Sequence, residues 1–294
     1  MSGPMSPEQQ EAFDTLIREV KELRPLPAIA LRLISMAEDR QFSAQDLAGT
    51  IRTDQALTLK ILRLANSPAF GLPRRITSLR EAIVLLGFRE VRALALAACV
   101  IDGAARERIA VAMLDYEQFW VNSLIVAHLA QALSEQEGVD RDEAFTAGGV
   151  HNVGRLALAQ HRPEWLSATV RIARDAGVAV HDVQAERLGF TDAELGAAVA
   201  RTWSFPPRLT EAVERHAWPL SALPDTHDLS SLVARARRFA RAQGISDGVD
   251  IVSRRLSPDR DWSLPKVADA LRLMGNVDGI TARARAFLAE SAAA

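Results

Sequence analysis

Apolar residues return every three or four positions along most of the chain, whereas apolar–polar alternation bounded by tight turns is scarce. That spacing predicts an all-α protein. Ser6-Pro7-Glu8-Gln9 opens the first helix. Ser6 can accept from the Gln9 backbone, Pro7 suits the first helical position, and Gln9 can reach back, so the helix should run to about Leu23. Pro25 and Pro27 interrupt the pattern, which resumes over 28–38 with Ile29, Leu31, Leu33, Ile34 and Met36 on one side. Ser43-Ala-Gln-Asp46 starts a short helix, and 53–66 places Leu57, Ile61, Leu62 and Leu64 toward a core. Ser67-Pro68 and Gly71-Leu-Pro73 then force a turn. Ser78-Leu-Arg-Glu81 is a capping box ahead of 82–87, Gly87 suits a helix end, and another helix follows from Arg89.

Further helical patterns occupy 118–133, 141–160, 164–175, 181–188, 191–203 and 206–217. Thr191-Asp-Ala-Glu194 is again a capping box, which puts Asp192 in a first turn, facing the positive end of the helix dipole. Residues 219–225 read as a connection. Helices are expected at 228–243, 264–274 and 279–290, with a Gly- and Asp-rich stretch at 244–250.

The chain has 294 residues, 35 Lys+Arg, 37 Asp+Glu and a formal net charge of −2. No global field attracts nucleic acid or an anionic membrane, so such binding would need a local basic patch. Two clusters are candidates for an anion or partner surface: Arg74, Arg75, Arg89 and Arg92, and the helical row Arg235, Arg237, Arg238 and Arg241. The most apolar long window, 82–101, is interrupted by Arg89, Glu90 and Arg92, so it reads as core helix and no membrane span is expected. Cys99 is the single cysteine, in an apolar run, and the N-terminus carries no secretory pattern. A cytoplasmic globular protein is expected.

Three patterns in order carry a resemblance. They are Leu26-Pro27-Ala28-Ile29, then Leu62-Arg-Leu-Ala-Asn-Ser67 ending at Phe70-Gly71, then Ser78-Leu79 with 82–87. Together they resemble the HDOD family, output domains related to the HD and HD-GYP metal-dependent phosphohydrolases. The resemblance implies a multi-helix HD-superfamily-like bundle with an N-terminal helical sub-bundle. It also locates the superfamily's metal-ligand positions in this chain. Asn122 stands where the first ligand His would be, and the defining His-Asp pair is His151-Asn152. Asp192 stands at another His position, and of a possible His pair only His216 remains, followed by Ala217. Catalysis by such enzymes needs several ligands converging on a metal with open positions. A neutral Asn in place of the bridging Asp removes charge where a dication needs it.

No catalytic residue, no tightly held metal and no cofactor is therefore expected. Asn122, His151, Asn152, Asp192 and His216 would form a vestigial pocket, with the two asparagines hydrogen-bonded to each other or to backbone. His128, His161, His181 and His227 show no usable partner spacing. The resemblance implies a catalytically silent regulatory or signal-output module of bacterial signal transduction, acting on protein partners. Two alternatives are a residual metal-dependent phosphohydrolase using His151, Asp192 and His216, and a regulator that binds nucleotide or nucleic acid through the arginine clusters. The expected organisation is an N-terminal helix (1–23), an HDOD-like domain (24–219) and a C-terminal helical extension (220–294) packing on the core.

Overall fold

A computed structural model describes residues 3–22, 42–53, 76–92 and 113–249, with scattered positions between 32 and 95 and between 272 and 285. All regular elements among the described residues are helices. They are α1 (Pro7–Glu22), α2 (Ala44–Arg52), α3 (Leu79–Leu86), α4 (Tyr116–Glu137), α5 (Arg141–Val150), α6 (Val153–His161), α7 (Pro163–Ala176), α8 (Val180–Leu188), α9 (Asp192–Thr202), α10 (Pro207–Arg215) and α11 (Leu229–Ala242), with a 3₁₀ turn at Leu220–Ala222. The turn at Gly71-Leu-Pro73, Arg74, Arg75 and Cys99 lie outside the described residues, as do most of the helices expected at 28–38, 264–274 and 279–290.

The chain divides into two compact units, one comprising 1–23 and 104–274 and the other 24–103 and 275–294. In the second unit, α2 packs on α3, with Leu47, Ala48 and Ile51 buried on one helix and Leu79, Ala82 and Ile83 on the other. Asn66 fastens the chain ahead of α3. Its amide donates to the carbonyls of Leu62 and Ile76, both at 2.8 Å, and its Oδ1 accepts from the Ile76 N–H at 2.6 Å. One short polar side chain thus satisfies a helix end and the start of the next segment.

In the first unit, α1 starts at the expected capping box, Gln9 N–H to Ser6 Oγ at 3.2 Å and Ser6 N–H to Gln9 Oε1 at 2.9 Å. It packs on α9 and α6, stacking Phe13 against Phe190 at 4.7 Å between ring centroids. The Arg162 guanidinium forks onto the Glu19 carboxylate with two 2.7 Å bonds. The centre of the unit is α4, which pairs with α5 and is covered by α11. Helices α6 and α9 pack together, α9 packs on α10, and α10 packs on α11.

Sequence periodicity predicts one helix over 141–160, but the structure divides it at His151 and Asn152 into α5 and α6. Asn152, at φ −94° and ψ 15°, leaves the helical conformation. The His151 ring ties back to Gly148, whose carbonyl accepts its Nδ1–H at 2.6 Å. Both residues therefore stand at a corner, not on a helix face. The apolar spacing continues in register across this corner, so hydrophobic pattern alone does not reveal it.

Two glycines set how closely the helices meet. A Cβ on Gly148 would lie 2.5 Å from the Ala127 Cα, and a Cβ on Gly154 would lie 1.9 Å from the Asp192 carbonyl oxygen and 2.3 Å from the Gly196 nitrogen. Backbone meets backbone there, and no side chain can rotate away. Gly154→Ala should therefore lower unfolding free energy by more than about 3 kcal/mol. Gly149→Ala, with 4.0 Å to its nearest neighbour, should change it by less than about 1 kcal/mol and in the stabilising direction. Urea midpoints of the two variants check this.

Candidate functional site

The five residues of the expected pocket arrive from four places in the first unit. Asn122 lies on α4, His151 and Asn152 at the α5–α6 corner, Asp192 at the first position of α9, and His216 just past α10. All five are buried. The antiparallel pairing of α4 and α5 at Ala127 and Gly148 carries Asn122 toward the corner. The capping box at Thr191, with Glu194 N–H to Thr191 Oγ1 at 3.2 Å and Thr191 N–H to Glu194 Oε2 at 2.8 Å, fixes where Asp192 begins its helix.

His151 and His216 are matched in arrangement. Each ring uses Nδ1–H to donate to a backbone carbonyl three residues earlier, Gly148 at 2.6 Å and Val213 at 2.7 Å. That bond selects the tautomer whose Nε2 carries a lone pair. The rings meet edge to face at 5.0 Å, and His181 of α8 adds a third ring 5.9 Å from His216. Burial, reinforced by the positive charge of Arg237 and Arg155, pushes the His151 pKa down to about 3. Burial, the neighbouring His151 ring and Arg237 hold His216 well below its ordinary value. Both are neutral imidazoles at cellular pH.

Asp192 is not a solvated helix-start charge. Its Oδ2 accepts from Arg155 Nε at 2.8 Å and from Gln184 Nε2 at 3.2 Å, and its Oδ1 lies 2.9 Å from His181 Nε2. Gln184 closes the loop by accepting the Asp192 N–H at 2.9 Å. Burial alone would raise the pKa of this carboxyl, but the charges of Arg155 and His181 and their hydrogen bonds hold it well below the usual range. The Arg155 guanidinium, 0% exposed, continues from Asp192 to Asp247 at 2.9 Å. Asp247 also draws Arg237 at 3.3 Å and Arg241 at 3.9 Å. Arg155, Gln184 and Asp247 are not singled out by the sequence, which also gives His181 no partner, and Arg155 is 37 residues from Asp192 and 92 from Asp247. Linear spacing carries no signal at those separations.

The expected hydrogen bonding of the asparagines is corrected by the structure. Among the described residues, neither amide atom of Asn122 or Asn152 has a hydrogen-bond partner, and the same holds for His151 Nε2 and His216 Nε2. Asn122 comes from a helix interior and Asn152 from the corner between two helices.

The arginine candidates separate. Arg89 is half-buried and Arg92 fully buried. On α11, Arg235 pairs with Glu137 at 2.8 Å, Arg237 and Arg241 turn to Asp247, and Arg238 is half-buried. Three of the four thus meet carboxylates of the same unit, so the basic row on this helix is directed largely inward.

The sequence model of the HDOD domain matches residues 23–219. The chain belongs to the HDOD domain family. An uncharacterized protein of Treponema pallidum (strain Nichols) is 24% identical over 202 residues, covering 67% of this chain and 38% of that protein, so this chain spans well under half of its length. An HDOD domain protein with unknown function from Geobacter sulfurreducens superposes with a TM-score of 0.67 at 23% identity, covering 97% of both chains. A Marinobacter aquaeolei VT8 protein, provisionally named for signal transduction, superposes with a TM-score of 0.73 at 22% identity, covering 95% of this chain and 66% of its own. A Shewanella amazonensis SB2B protein, provisionally named a phosphohydrolase, gives 0.62 at 23%, over 94% of this chain and 97% of its own. These likenesses establish the helical HDOD fold.

The residues of this HDOD centre do not fit a catalytic dication. The positions that the HD resemblance marks for ligands hold two neutral amides, two neutral imidazoles and one carboxylate, and the carboxylate is already bonded to a guanidinium, an imidazole and an amide. Among the described residues no group of three or more His, Cys, Asp and Glu side chains is placed to hold a metal ion.

Acid stability follows from the two histidines. Their folded pKa values lie below the unfolded value of 6.5, so their contribution is complete above pH 6.5 and is lost as pH falls toward about 3 for His151. Unfolding near pH 5 should take up about two protons, a slope of about 1.4 kcal/mol per pH unit per histidine. Urea titrations between pH 7 and pH 4 measure it, and His151→Gln should remove about half the slope.

Proposed function

We propose that this HDOD chain is a catalytically silent regulatory module of the bacterial cytoplasm, acting in signal transduction by binding protein partners through the surface of its helical bundle. The observation that carries this reading is the Arg155 guanidinium seated between Asp192 and Asp247 at 2.8 and 2.9 Å. A fixed organic cation holds the one carboxylate that the HD resemblance offers to a metal. A guanidinium has no open coordination position and is not a Lewis acid, so it cannot turn a bound water into hydroxide as a metal ion does. The neutral Asn122 and Asn152 support the same reading, as does the provisional name of the Marinobacter relative. The described part of the chain contains no helix long and apolar enough to cross a membrane, which accords with a cytoplasmic setting.

A residual phosphohydrolase is the second reading, favoured by the two Nε2 lone pairs of His151 and His216 with no partner among the described residues. A regulator that binds nucleotide or nucleic acid through its arginines has weaker support, since Arg235, Arg237 and Arg241 already face carboxylates.

Elemental analysis of the purified full chain, paired with hydrolysis of a generic phosphodiester in added Mn²⁺, separates the first two readings. The expected result is substoichiometric metal and no turnover above background. Near-stoichiometric metal with turnover abolished by His151→Ala would overturn the proposal.

A further inference from the structure

The strongest feature outside the ligand-like positions is Asp247. It lies beyond the stretch matched by the family, on the segment that follows α11. Its side chain is wholly buried, and one of its oxygens, Oδ2, receives Arg155 from α6 at 2.9 Å and Arg237 from α11 at 3.3 Å, with Arg241 at 3.9 Å. Arg155 and Arg237 are themselves more than nine-tenths buried. Guanidiniums are preorganised forks for planar oxyanions, and two that converge from different helices make a carboxylate site whatever chain supplies the carboxylate.

The carboxylate is delivered by a short tether. Gly244 and Gly248 flank it, both at positive φ (83° and 90°). Gly248 also passes so close to α4 that a Cβ there would lie 2.7 Å from the Asp115 carbonyl oxygen. The Gly248 carbonyl accepts the Asp115 N–H at 3.0 Å, and Ile245 and Val249 are buried on either side. Six residues therefore insert a single carboxylate into the centre as a plug. Polar groups stand in the same core: Arg155, Arg237 and Asp247 all bias the proton affinity of His151.

We propose that Arg155 and Arg237 form a binding site for a small free carboxylate, and that Asp247 on the 244–249 segment is its built-in occupant. The site takes a carboxylate of formate or acetate size once the Asp247 side chain is gone. The inference rests on Arg155 being the cation of this centre, as the proposed function does, yet neither metal content nor turnover enters its test.

The test uses full-length Asp247→Ala, melted in chloride, formate, acetate and phosphate at matched ionic strength. In chloride the midpoint should fall by on the order of 10 °C, since Arg155 keeps Asp192 but both buried guanidiniums lose Asp247. Formate or acetate should restore it along a saturating curve and leave the unsubstituted chain unmoved. Asp247→Asn, which fills the same volume with a neutral amide, should be destabilised and not rescued. If Asp247→Ala does not fold in chloride, recovery on refolding into formate or acetate is read instead, and absence of recovery counts against the site. No saturable effect, or an equal effect on the unsubstituted chain, overturns the proposal. Rescue by phosphate alone overturns the carboxylate assignment.

Discussion

The buried guanidinium of Arg155 is the constraint around which the first unit is arranged, because a full charge withdrawn from water is tolerable only with close, well-aligned partners. Asp192 from the start of α9 and Asp247 from beyond α11 supply them at 2.8 and 2.9 Å. Neither can move far without stranding the cation. The helix crossing beside it is equally intolerant, since Gly154 and Gly196 let the α6 and α9 backbones touch one residue before Arg155 and four after Asp192. Charge pairing and backbone contact thus fix the same two helices from two sides. The arrangement is tightly constrained, with both of its buried carboxylates already committed to Arg155.

Much of this was legible in the sequence where the physics is local. The Ser6, Ser43, Ser78 and Thr191 caps all appear as helix starts, since a cap needs only residues within three positions of each other. The HDOD resemblance, carried by Leu26-Pro27, the Asn66 motif and the Ser78 helix, led to the right family. Asn66 shows why such a motif is readable: its three hydrogen bonds all close within ten residues.

What the sequence did not disclose is long-range or directional. His181 had no partner in the linear reading, yet it lies against both Asp192 and His216. The arginines of α11 read as an amphipathic basic face, and their spacing is indeed helical, but periodicity cannot say whether a basic stripe meets solvent or Glu137 and Asp247. The division of α5 from α6 was hidden for a related reason. Apolar spacing continued through the corner, and what bends the chain is a ring-to-carbonyl bond at His151.

The N-terminal helix gives the family boundary a different meaning. The recognisable stretch begins at residue 23 and ends at residue 219, yet Leu16, Val20 and the Phe13–Phe190 stack belong to the same interior as α6 and α9. A chain trimmed to the recognisable stretch would lose the apolar cover of Phe190, the carboxylate fork on Arg162 and, at the other end, Asp247. The stretch recognised as a module thus leaves out, at both ends, residues that pack into the first unit.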